Sequence, residues 1–573
     1  MSSTRTQRTG RLAACTALAL SAGMLAAGTA TGHQAPTSPH AATSFVEPQP
    51  AKPSGTLRSG TAHRLTGAAA AAAAKPRFDL DGNGYSELLH RTPNGKWWLR
   101  VFKSGVDDVE YKFPYRENEW LKDVVPPGDL TGDGHSDLLT LSSSGTLSLY
   151  PDATTTSPGY AGWSSGGWNA YSKLVAPGDV TGDGKADLLA RTPGGDLYLY
   201  PGNGASSGDP FAGRIKVGGG WQAYDQLLGA NDVNGDGIAD VLARTPGGDL
   251  YFYAGSGSAS APLKSRVRLG GGWNTYNQLF SIDDANGDGY ADLFARATDG
   301  TVYLYYANGR GNFNTRERWG TGWNVVSSYA SASANPTVGK SEILGRDSQG
   351  TLYYYYALNN GQLSSRSKAS DTGGWAGADI RYASSLDANG QPELLEIAQN
   401  WLYNEGTAVS GGWGGYNLVL GPGDLNSDGE GDLLARDGLG TLWLQRGNGA
   451  GTGFASRLKV GGGWGAYDKV VGAGDLTGDG LADIVARTGD GKLYLYPGTG
   501  ISTSPFKSRV YVGPGWQQFK NIAAPGDLNG DGRADLLATN SRGELFRYTS
   551  NGYGGFQSRV KLGDGWNTYR DLY

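Results

Sequence analysis

The sequence predicts an all-β fold built from ten repeats of about 50 residues, and three observations support this prediction. An acidic nine-residue loop recurs along the chain, a Gly-Gly-Trp segment precedes it at a constant distance, and short strand-like runs follow it. Each repeat has room for four such runs, bounded by Gly and Pro turn signals, and no segment shows a helical period. Four antiparallel strands in about 50 residues make a unit the size of one β-propeller blade.

The N-terminal segment has the features of an export signal. Three arginines precede an apolar run that ends in small residues near Ala30, which is the pattern of a secretory signal peptide. We therefore expect residues 1–30 to be removed and the protein to be secreted and extracellular. Residues 31–77 are rich in Pro, Ala, Ser and Thr, a composition that cannot bury a core, so we predict a disordered linker there.

Composition excludes several classes of protein. The formal net charge is −5, which gives no reason to expect a nucleic-acid partner. The only cysteine, Cys15, lies in the predicted signal peptide, so the mature chain has no disulfide and no cysteine-based metal site. No later segment is apolar over about 18 residues, and we expect a monomer without a membrane span.

One repeat illustrates how the strands are predicted. Residues 171–175 lead into the acidic loop, and residues 186–191 leave it with an apolar run. A Pro-Gly-Gly turn then leads to residues 196–200, which alternate as Leu-Tyr-Leu-Tyr, and residues 214–217 form a fourth run. This period of two, interrupted by glycine, predicts an antiparallel meander.

The acidic loop reads D-x-[T/N/D]-x-[D/N]-G-x-x-[D/E], as in Asp179-Val-Thr-Gly-Asp-Gly-Lys-Ala-Asp187. Oxygen side chains at positions 1, 3, 5 and 9, with a backbone carbonyl at position 7, suit calcium. Position 12 is apolar or alanine and a strand follows, which excludes an EF-hand. We expect about eight calcium ions, mainly structural, on these residues: Asp79, Asp81, Asn83, Glu87; Asp129, Thr131, Asp133, Asp137; Asp179, Thr181, Asp183, Asp187; Asp232, Asn234, Asp236, Asp240; Asp284, Asn286, Asp288, Asp292; Asp424, Asn426, Asp428, Asp432; Asp475, Thr477, Asp479, Asp483; Asp527, Asn529, Asp531 and Asp535.

The Gly-Gly-Trp-x-x-Tyr segment lies eleven residues before the first loop aspartate in six repeats. Aromatic side chains in Gly-rich loops can stack on sugar rings, and repetition would add avidity. The alternative is that these large side chains pack between neighbouring blades. The candidates for ligand contact are Trp168, Trp221, Trp273, Trp413, Trp464, Trp516 and Trp566.

The loop and the strand that follows it, D-x-T-G-D-G-x-x-D-L-L-A-R, resemble the FG-GAP or VCBS repeat of integrin alpha chains and secreted bacterial proteins. The resemblance covers nearly all of residues 78–573. It implies propeller blades in which each loop joins two adjacent strands around calcium. The Gly-Gly-Trp segment separately resembles the blades of tachylectin, a five-bladed sugar-binding propeller.

The number of rings stays open at this point. The acidic loop is lost near Ala334 and shortened at Asp387, which favours a junction in the middle of the chain. Residues 78–333 would then hold repeats 1–5, and residues 334–573 repeats 6–10, with repeats 6 and 7 degenerate. The alternatives are one large ring, closed by the C-terminal strand, or a ring of seven or eight blades with a remainder.

The sequence contains few residues that could serve as catalytic groups. Three of the five histidines lie in the linker, His135 is in an acidic loop, and His90 stands alone on a strand. We expect a recognition or adhesion module that binds a carbohydrate or cell-surface component and is not an enzyme. The alternatives are a protein-binding scaffold and a polysaccharide-active enzyme that uses a carboxylate pair in a cleft.

Overall fold

The computed structural model describes residues 53–55, 75–92, 96–102, 108–113, 121–142, 144–331, 338–387 and 391–573. The predicted signal peptide and most of the predicted linker lie outside these ranges. Within them, the chain forms ten four-stranded antiparallel sheets and no α-helix, which confirms the all-β prediction. This part of the chain offers no helical segment that could cross a bilayer.

The first five sheets follow one another along the chain, and each is a meander. Sheet 1 contains β1 (Leu88–Arg91), β2 (Trp97–Arg100) and β3 (Val109–Glu110); sheet 2, β4 (Leu121–Gly128), β5 (Asp137–Ser142), β6 (Leu147–Tyr150) and β7 (Trp163–Ser165); sheet 3, β8 (Lys173–Gly178), β9 (Asp187–Arg191), β10 (Leu197–Tyr200) and β11 (Ile215–Gly218); sheet 4, β12 (Gln226–Asn231), β13 (Asp240–Arg244), β14 (Leu250–Tyr253) and β15 (Val267–Gly270); sheet 5, β16 (Tyr276–Phe280), β17 (Leu293–Ala297), β18 (Val302–Tyr305) and β19 (Glu317–Gly320). The next strand, β20 (Ser328–Tyr329), pairs with β1 and completes sheet 1.

The remaining sheets repeat this plan. Sheet 6 contains β21 (Glu342–Asp347), β22 (Leu352–Tyr356) and β23 (Ser367–Lys368); sheet 7, β24 (Asp379–Ala383), β25 (Glu393–Ala398), β26 (Trp401–Asn404) and β27 (Thr407–Gly411); sheet 8, β28 (Tyr416–Gly423), β29 (Asp432–Asp437), β30 (Leu442–Gln445) and β31 (Leu458–Gly461); sheet 9, β32 (Tyr467–Gly474), β33 (Asp483–Thr488), β34 (Leu493–Tyr496) and β35 (Val510–Gly513); sheet 10, β36 (Phe519–Gly526), β37 (Asp535–Asn540), β38 (Leu545–Tyr548) and β39 (Val560–Gly563). The last strand, β40 (Tyr569–Leu572), pairs with β21 and completes sheet 6.

Eight single turns of 3-10 helix connect these strands. They are Trp168–Ala170, Trp221–Ala223, Trp273–Thr275, Trp323–Val325, Trp413–Gly415, Trp464–Ala466, Trp516–Gln518 and Trp566–Thr568. Each begins at a tryptophan that directly follows a glycine and ends just before the first strand of a sheet.

The hydrophobic core is divided among the interfaces between sheets. Leucines of the Leu-Tyr-Leu-Tyr strands are buried and their tyrosines are half-buried, as a period of two requires. In the first set, one apolar cluster lies between each pair of consecutive sheets, and a fifth cluster joins sheet 5 to sheet 1. The second set has the same five interfaces, the last joining sheet 10 to sheet 6.

This packing bears on the number of rings. The strand that completes sheet 1 is β20, which follows sheet 5, and the C-terminal β40 belongs to sheet 6. The alternative in which the C-terminal strand completes the first blade and closes one large ring is therefore wrong. Both the pairing and the packing are those expected of two five-bladed propellers in succession.

Two short parts of the predicted disordered linker make defined contacts, so the prediction is wrong for them. Arg77 lies in the middle of the first set, where it donates to the carbonyl oxygens of Ala176 (2.5 Å) and Gly229 (3.1 Å). Its Nε lies 2.6 Å from the Asp283 carboxylate. One buried guanidinium thus contacts the first strands of sheets 3 and 4 and the segment that follows the first strand of sheet 5. Residues 53–55 lie against sheets 1 and 5.

Candidate functional site

Seven of the eight intact acidic loops connect the first and second strands of a sheet, as predicted, and the first loop, residues 79–87, leads directly into β1. In residues 179–187, Asp179 accepts the N–H groups of Gly182 (2.6 Å) and Gly184 (2.7 Å), which folds the loop back on its first residue. Asp183 accepts the N–H of Lys185 at 3.0 Å. The predicted ligands at positions 1 and 5 are therefore held by the loop backbone, and they lie at its solvent side.

Besides its predicted role as a cation ligand, the acid at position 9 accepts backbone hydrogen bonds that the sequence did not predict. Asp187 is fully buried, and its Oδ2 accepts the N–H groups of Val180 and Thr181, both at 3.0 Å. Its Oδ1 accepts the N–H of Gly202, beyond the third strand, at 3.1 Å. One carboxylate thus connects the loop to the next hairpin. The same contact beyond the third strand is made by Asp240, Asp292, Asp432, Asp483 and Asp535.

The first loop brings its acids closest together. Asp79, Asp81 and Glu87 each offer a carboxylate oxygen within 4.8 Å of the other two. None of the other seven loops, all within the described chain, gathers three acids so closely. Their predicted ligands share a loop, but their oxygens are directed to backbone N–H groups. A cation would have to draw these carboxylates inward.

Burial changes the acidity of the position-9 carboxyls. Removal from water raises the pKa of Asp187 to about 7 and that of Asp240 to about 8, and the other acids of each loop add to the rise. The pKa of Glu87 rises to about 8 for the same reason. A bound cation would offset this cost of burying negative charge, so the donor set fits a hard divalent ion.

Each of the two degenerate repeats keeps a buried acid at position 9, and the second also keeps Asp387. Glu393 accepts the N–H groups of Leu386 (2.6 Å) and Asp387 (3.0 Å), as position-9 acids do in intact loops. Glu342 is fully buried and accepts the hydroxyl of Tyr382. Residues 332–337 and 388–390 lie outside the described part of these loops.

The predicted ligand-contact tryptophans lie between sheets, with little surface exposed. Trp168, Trp221, Trp413, Trp464 and Trp516 are buried, and two others, Trp273 and Trp566, are half-buried. In the Trp464 copy, the indole lies 4.8 Å from the ring centroid of Tyr496. In the five buried copies the indole packs against neighbouring side chains, and ligand contact by the seven tryptophans stays a prediction.

An arginine joins each aromatic cluster, and the sequence analysis missed it. Arg214 donates to the hydroxyl of Tyr171 (2.6 Å), which pairs with the hydroxyl of Tyr200 (2.5 Å), and its guanidinium lies 4.6 Å from the ring centroid of Tyr198. Equivalent cation–π contacts are made by Arg266, Arg316, Arg366, Arg457, Arg509 and Arg559. An arginine seven residues before the tryptophan in six repeats was the available signal.

These clusters combine buried hydroxyls with an exposed charge. Burial, together with the hydrogen bond from Tyr171, raises the pKa of Tyr200 to about 12, so the hydroxyl stays protonated. Hydrogen bonds to Tyr171 and Tyr200 raise the pKa of Arg214, whose side chain is exposed. This cluster therefore presents a permanent cation beside neutral hydroxyls at the protein surface.

A recess of about 430 Å³ lies beside Trp464, between sheets 8 and 9. Gly461, Gly462 and Gly463 form one wall, because they carry no side chains to fill it. The indole N–H of Trp464 has no acceptor within the described chain. The opposite wall is formed by Tyr467, Tyr496, Thr503, Ser504, Phe506, Lys507 and Arg509.

His90, which lies on β1, is a packed residue. It is 2% exposed, and burial lowers its pKa to about 4, although Asp108 acts in the opposite direction. Its ring contacts that of Trp323 edge-on, with 5.6 Å between centroids. The neutral imidazole thus belongs to the interface between sheets 5 and 1.

The fold and the loops define a class: an all-β protein of repeated four-stranded blades with an acidic loop after the first strand. The FG-GAP-like repeat model matches residues 129–190, 179–243, 232–295, 424–486 and 475–538. The chain therefore contains FG-GAP-like repeats in these ranges, which confirms the predicted resemblance.

Two lectins are among the solved structures to which the chain is similar. One is from Agrocybe aegerita, described as recognising non-reducing terminal N-acetylglucosamine, with 17% identity over 78% of this chain and 94% of the lectin, and a TM-score of 0.25. The other is the BP39L lectin of Burkholderia pseudomallei, with 13% identity over 69% and 99%, and a TM-score of 0.19. Curated proteins gave no match. At such TM-scores neither likeness bears on the ligand of this chain.

Proposed function

We propose that this protein is a secreted, calcium-stabilised, non-catalytic carbohydrate-binding protein. The observation that carries the proposal is the recess beside Trp464, where an indole N–H without an acceptor meets an exposed guanidinium and several hydroxyls. The three arginines before the apolar N-terminal run support secretion.

The chemistry of the recess suits a sugar. Carbohydrates present closely spaced hydroxyls that both donate and accept, above a ring with apolar C–H faces. Trp464 and Arg509 supply donors, Thr503 and Ser504 supply hydroxyls, and the rim of Phe506 supplies apolar surface. A few convergent polar groups on an aromatic wall are what fix the orientation of a small ligand.

Repetition would turn weak sites into useful affinity. The arginine–tyrosine cluster recurs around both sets of sheets, so one chain would contact several sugars of a surface at once. Binding of the second sugar is then effectively intramolecular, and avidity exceeds the affinity of each site. This favours polymeric or cell-surface glycans over free monosaccharides.

Calcium would act on the blades more than on the ligand. Each acidic loop is directly followed by a strand, and in six of the eight loops the last acid connects the loop to the next hairpin. A cation that neutralises these acids would stabilise the folded chain by binding only to it. The eight loops supply oxygen donors alone, which is the preference of calcium.

The test is binding of the mature chain to a glycan array and to cell-wall polysaccharide, with calcium and with chelator. Trp464→Phe removes the indole N–H, and we expect it to weaken binding to the array. Trp413→Phe is the matched control, since that indole already donates to Ser410 Oγ at 2.9 Å. Absence of binding to every glycan, with a protein captured instead, would favour the protein-binding scaffold. Turnover of a polysaccharide would contradict the non-catalytic part.

A further inference from the structure

A short peptide of the chain itself is bound between sheets 5 and 1. The backbone N–H of Ser54 donates to the carbonyl oxygen of Thr321 at 2.9 Å. The indole N–H of Trp323 donates to the carbonyl oxygen of Ser54 at 2.6 Å. The Ser54 side chain makes a further contact with the hydroxyl of Thr321 at 3.0 Å. These contacts span more than 260 residues of sequence.

Arg100 holds the carbonyl groups on either side. Its Nη2 donates to Pro53 O at 2.9 Å, and its Nη1 donates to Gly55 O at 3.2 Å. The guanidinium is fixed from behind by two contacts with Asp108, at 2.6 and 2.8 Å, and it lies 4.6 Å from the ring centroid of Trp323. Three consecutive peptide carbonyls are therefore recognised by side-chain donors of the folded sheets.

The third residue of this peptide has to be glycine. Gly55 has a φ of 145°, a conformation that other residues rarely adopt. A Cβ at this position would lie 3.2 Å from three atoms of the Trp319 ring. Backbone conformation and the wall of the site thus both select glycine at this position. The contact is therefore specific for the sequence of the peptide.

The peptide occupies the counterpart of the recess beside Trp464. Gly320 precedes Trp323 by three residues, as Gly461 precedes Trp464, and a Cβ on Gly320 would lie 2.2 Å from the Ser54 carbonyl oxygen. Trp323 is 0% exposed, compared with 6% for Trp464. The peptide therefore covers an indole that its counterpart leaves open to the recess.

We infer that the recess beside Trp323 is a binding site for an extended peptide, and that residues 53–55 fill it in cis and close it to other ligands. The ligand class is a peptide backbone with glycine at the third position, recognised through its carbonyl groups. The inference goes beyond the proposed carbohydrate function and does not depend on it.

Binding of the chain's own residues 53–55 is favoured over binding of a separate peptide. Residues 56–74 connect it to the folded chain at Lys75, whose carbonyl oxygen accepts from Asn231 at 2.9 Å. Because the peptide and the recess belong to one chain, their contact is intramolecular, and a weak ligand added in trans would not displace the peptide. A peptide added in trans would bind only when the segment in cis is released.

The test uses the full mature chain and a fluorescein-labelled synthetic peptide of residues 47–60. Ser54→Pro in the protein removes the N–H that bonds to Thr321, and it releases the segment in cis. We expect fluorescence anisotropy to show at least tenfold tighter binding of the peptide to this variant than to the unaltered chain. A control peptide carrying Gly55→Ala should bind the variant at least tenfold more weakly, because its methyl group meets Trp319.

Two results would overturn the inference. One is a Ser54→Pro protein that keeps its melting temperature and binds the peptide no better than the unaltered chain does. The other is that the Gly55→Ala peptide binds the variant as tightly as the unaltered peptide does, which would mean that the site does not select glycine. Because the assay contains no glycan, neither result bears on carbohydrate binding. If the proline variant melts early, Ser54→Gly and Arg100→Ala provide a second comparison, and Arg100→Ala should abolish peptide binding.

Discussion

Asp187 shows how one side chain organises a whole repeat. The sequence predicted that this residue belongs to the acidic loop, because its spacing from Asp179 recurs in eight repeats. Its hydrogen bond to Gly202 could not be predicted, because the donor is a backbone N–H and the residue fifteen positions after the acid varies between Gly, Ala and Ser. Spacing identifies which acids meet, whereas the identity of the backbone donors requires the fold.

Mutation can separate the structural role of the position-9 carboxylate from the predicted cation-binding role of the other loop acids. Asp187→Ala leaves three buried N–H groups without an acceptor, and we expect a loss of about 3 kcal/mol or more even without calcium. Asp183→Ala removes an acid that accepts only an exposed N–H, so the calcium-free chain should keep its melting temperature. Scanning calorimetry in chelator would compare the two. Equal losses would mean that position 9 has no separate structural role.

The raised pKa values predict a pH dependence. In the calcium-free folded chain, carboxyls such as Asp137 and Asp187 hold their protons up to about pH 7. The unfolded chain releases them near pH 4. The folded state thus binds more protons between about pH 4 and 7, and its stability falls as the pH rises through this window. Calcium would replace these protons.

The gain in melting temperature on adding calcium should therefore be larger at pH 8 than at pH 5.5. Scanning fluorimetry at both values, with calcium and with chelator, would measure it. A gain that is equal or larger at pH 5.5 would show that the protonated carboxyls do not compete with the ion.

The tryptophans show that a sequence motif can locate a residue at a turn without predicting its surroundings. The Gly-Gly-Trp pattern placed each indole at a turn, but it did not show which surface would cover the ring. The packing alternative describes the five buried indoles, and ligand contact remains a prediction for the N–H edge of Trp464. The arginine seven residues earlier was present in the sequence, but its meaning depended on a tyrosine from another strand.

Among the elements, the strands of the illustrated repeat followed the prediction closely. The run predicted at residues 196–200 is β10 (Leu197–Tyr200), and that at residues 186–191 is β9 (Asp187–Arg191). The first strand starts later than predicted, at Lys173, because the segment after Trp168 forms a 3-10 turn. Alternation identifies strands well, whereas a single turn has no periodicity to reveal it.

The turn before Trp464 offers a test of backbone conformation. Gly463 has a φ of 83°, and a Cβ there would have no neighbour within 4 Å, so the cost of a side chain is conformational alone. We expect Gly463→Ala to destabilise by about 1–2 kcal/mol and to weaken glycan binding at the recess. Gly462→Ala is the control, since its site is equally open and its φ is not left-handed. Similar melting temperatures for both variants would contradict this account.

At the scale of the whole molecule, closure depended on pairings that no local pattern contains. Ser328 in β20 pairs with Arg91, more than 230 residues earlier, and Asp571 in β40 pairs with Arg346. The sequence showed that sheet 1 lacked its first strand, but two segments could have supplied it. The decayed loops in the middle of the chain were the local signal that favoured a division into two sets of five.

The two sets also contact each other through a buried ion network. Asp225 of the first set lies 2.7 Å from Arg244 and 3.0 Å from Arg533 of the second set, and all three side chains are at most 6% exposed. Asp225→Ala would leave two buried guanidinium groups without this partner, and we expect a loss of about 3–5 kcal/mol. The control is Asp196→Ala, which breaks an exposed pair with Lys216 and should change the melting temperature little. Calorimetry that finds equal effects would show that the network does not join the two sets.

The central claim, that carbohydrate binds at the recess beside Trp464 and at the repeated arginine and aromatic clusters, is tested most directly by isothermal titration calorimetry with the glycan that binds best on an array. We expect more than one glycan per chain, because the aromatic and arginine cluster recurs, and we expect Trp464→Phe to reduce the number of sites while Trp413→Phe does not. A single site per chain that both variants leave unchanged, or the absence of binding heat, would contradict the claim.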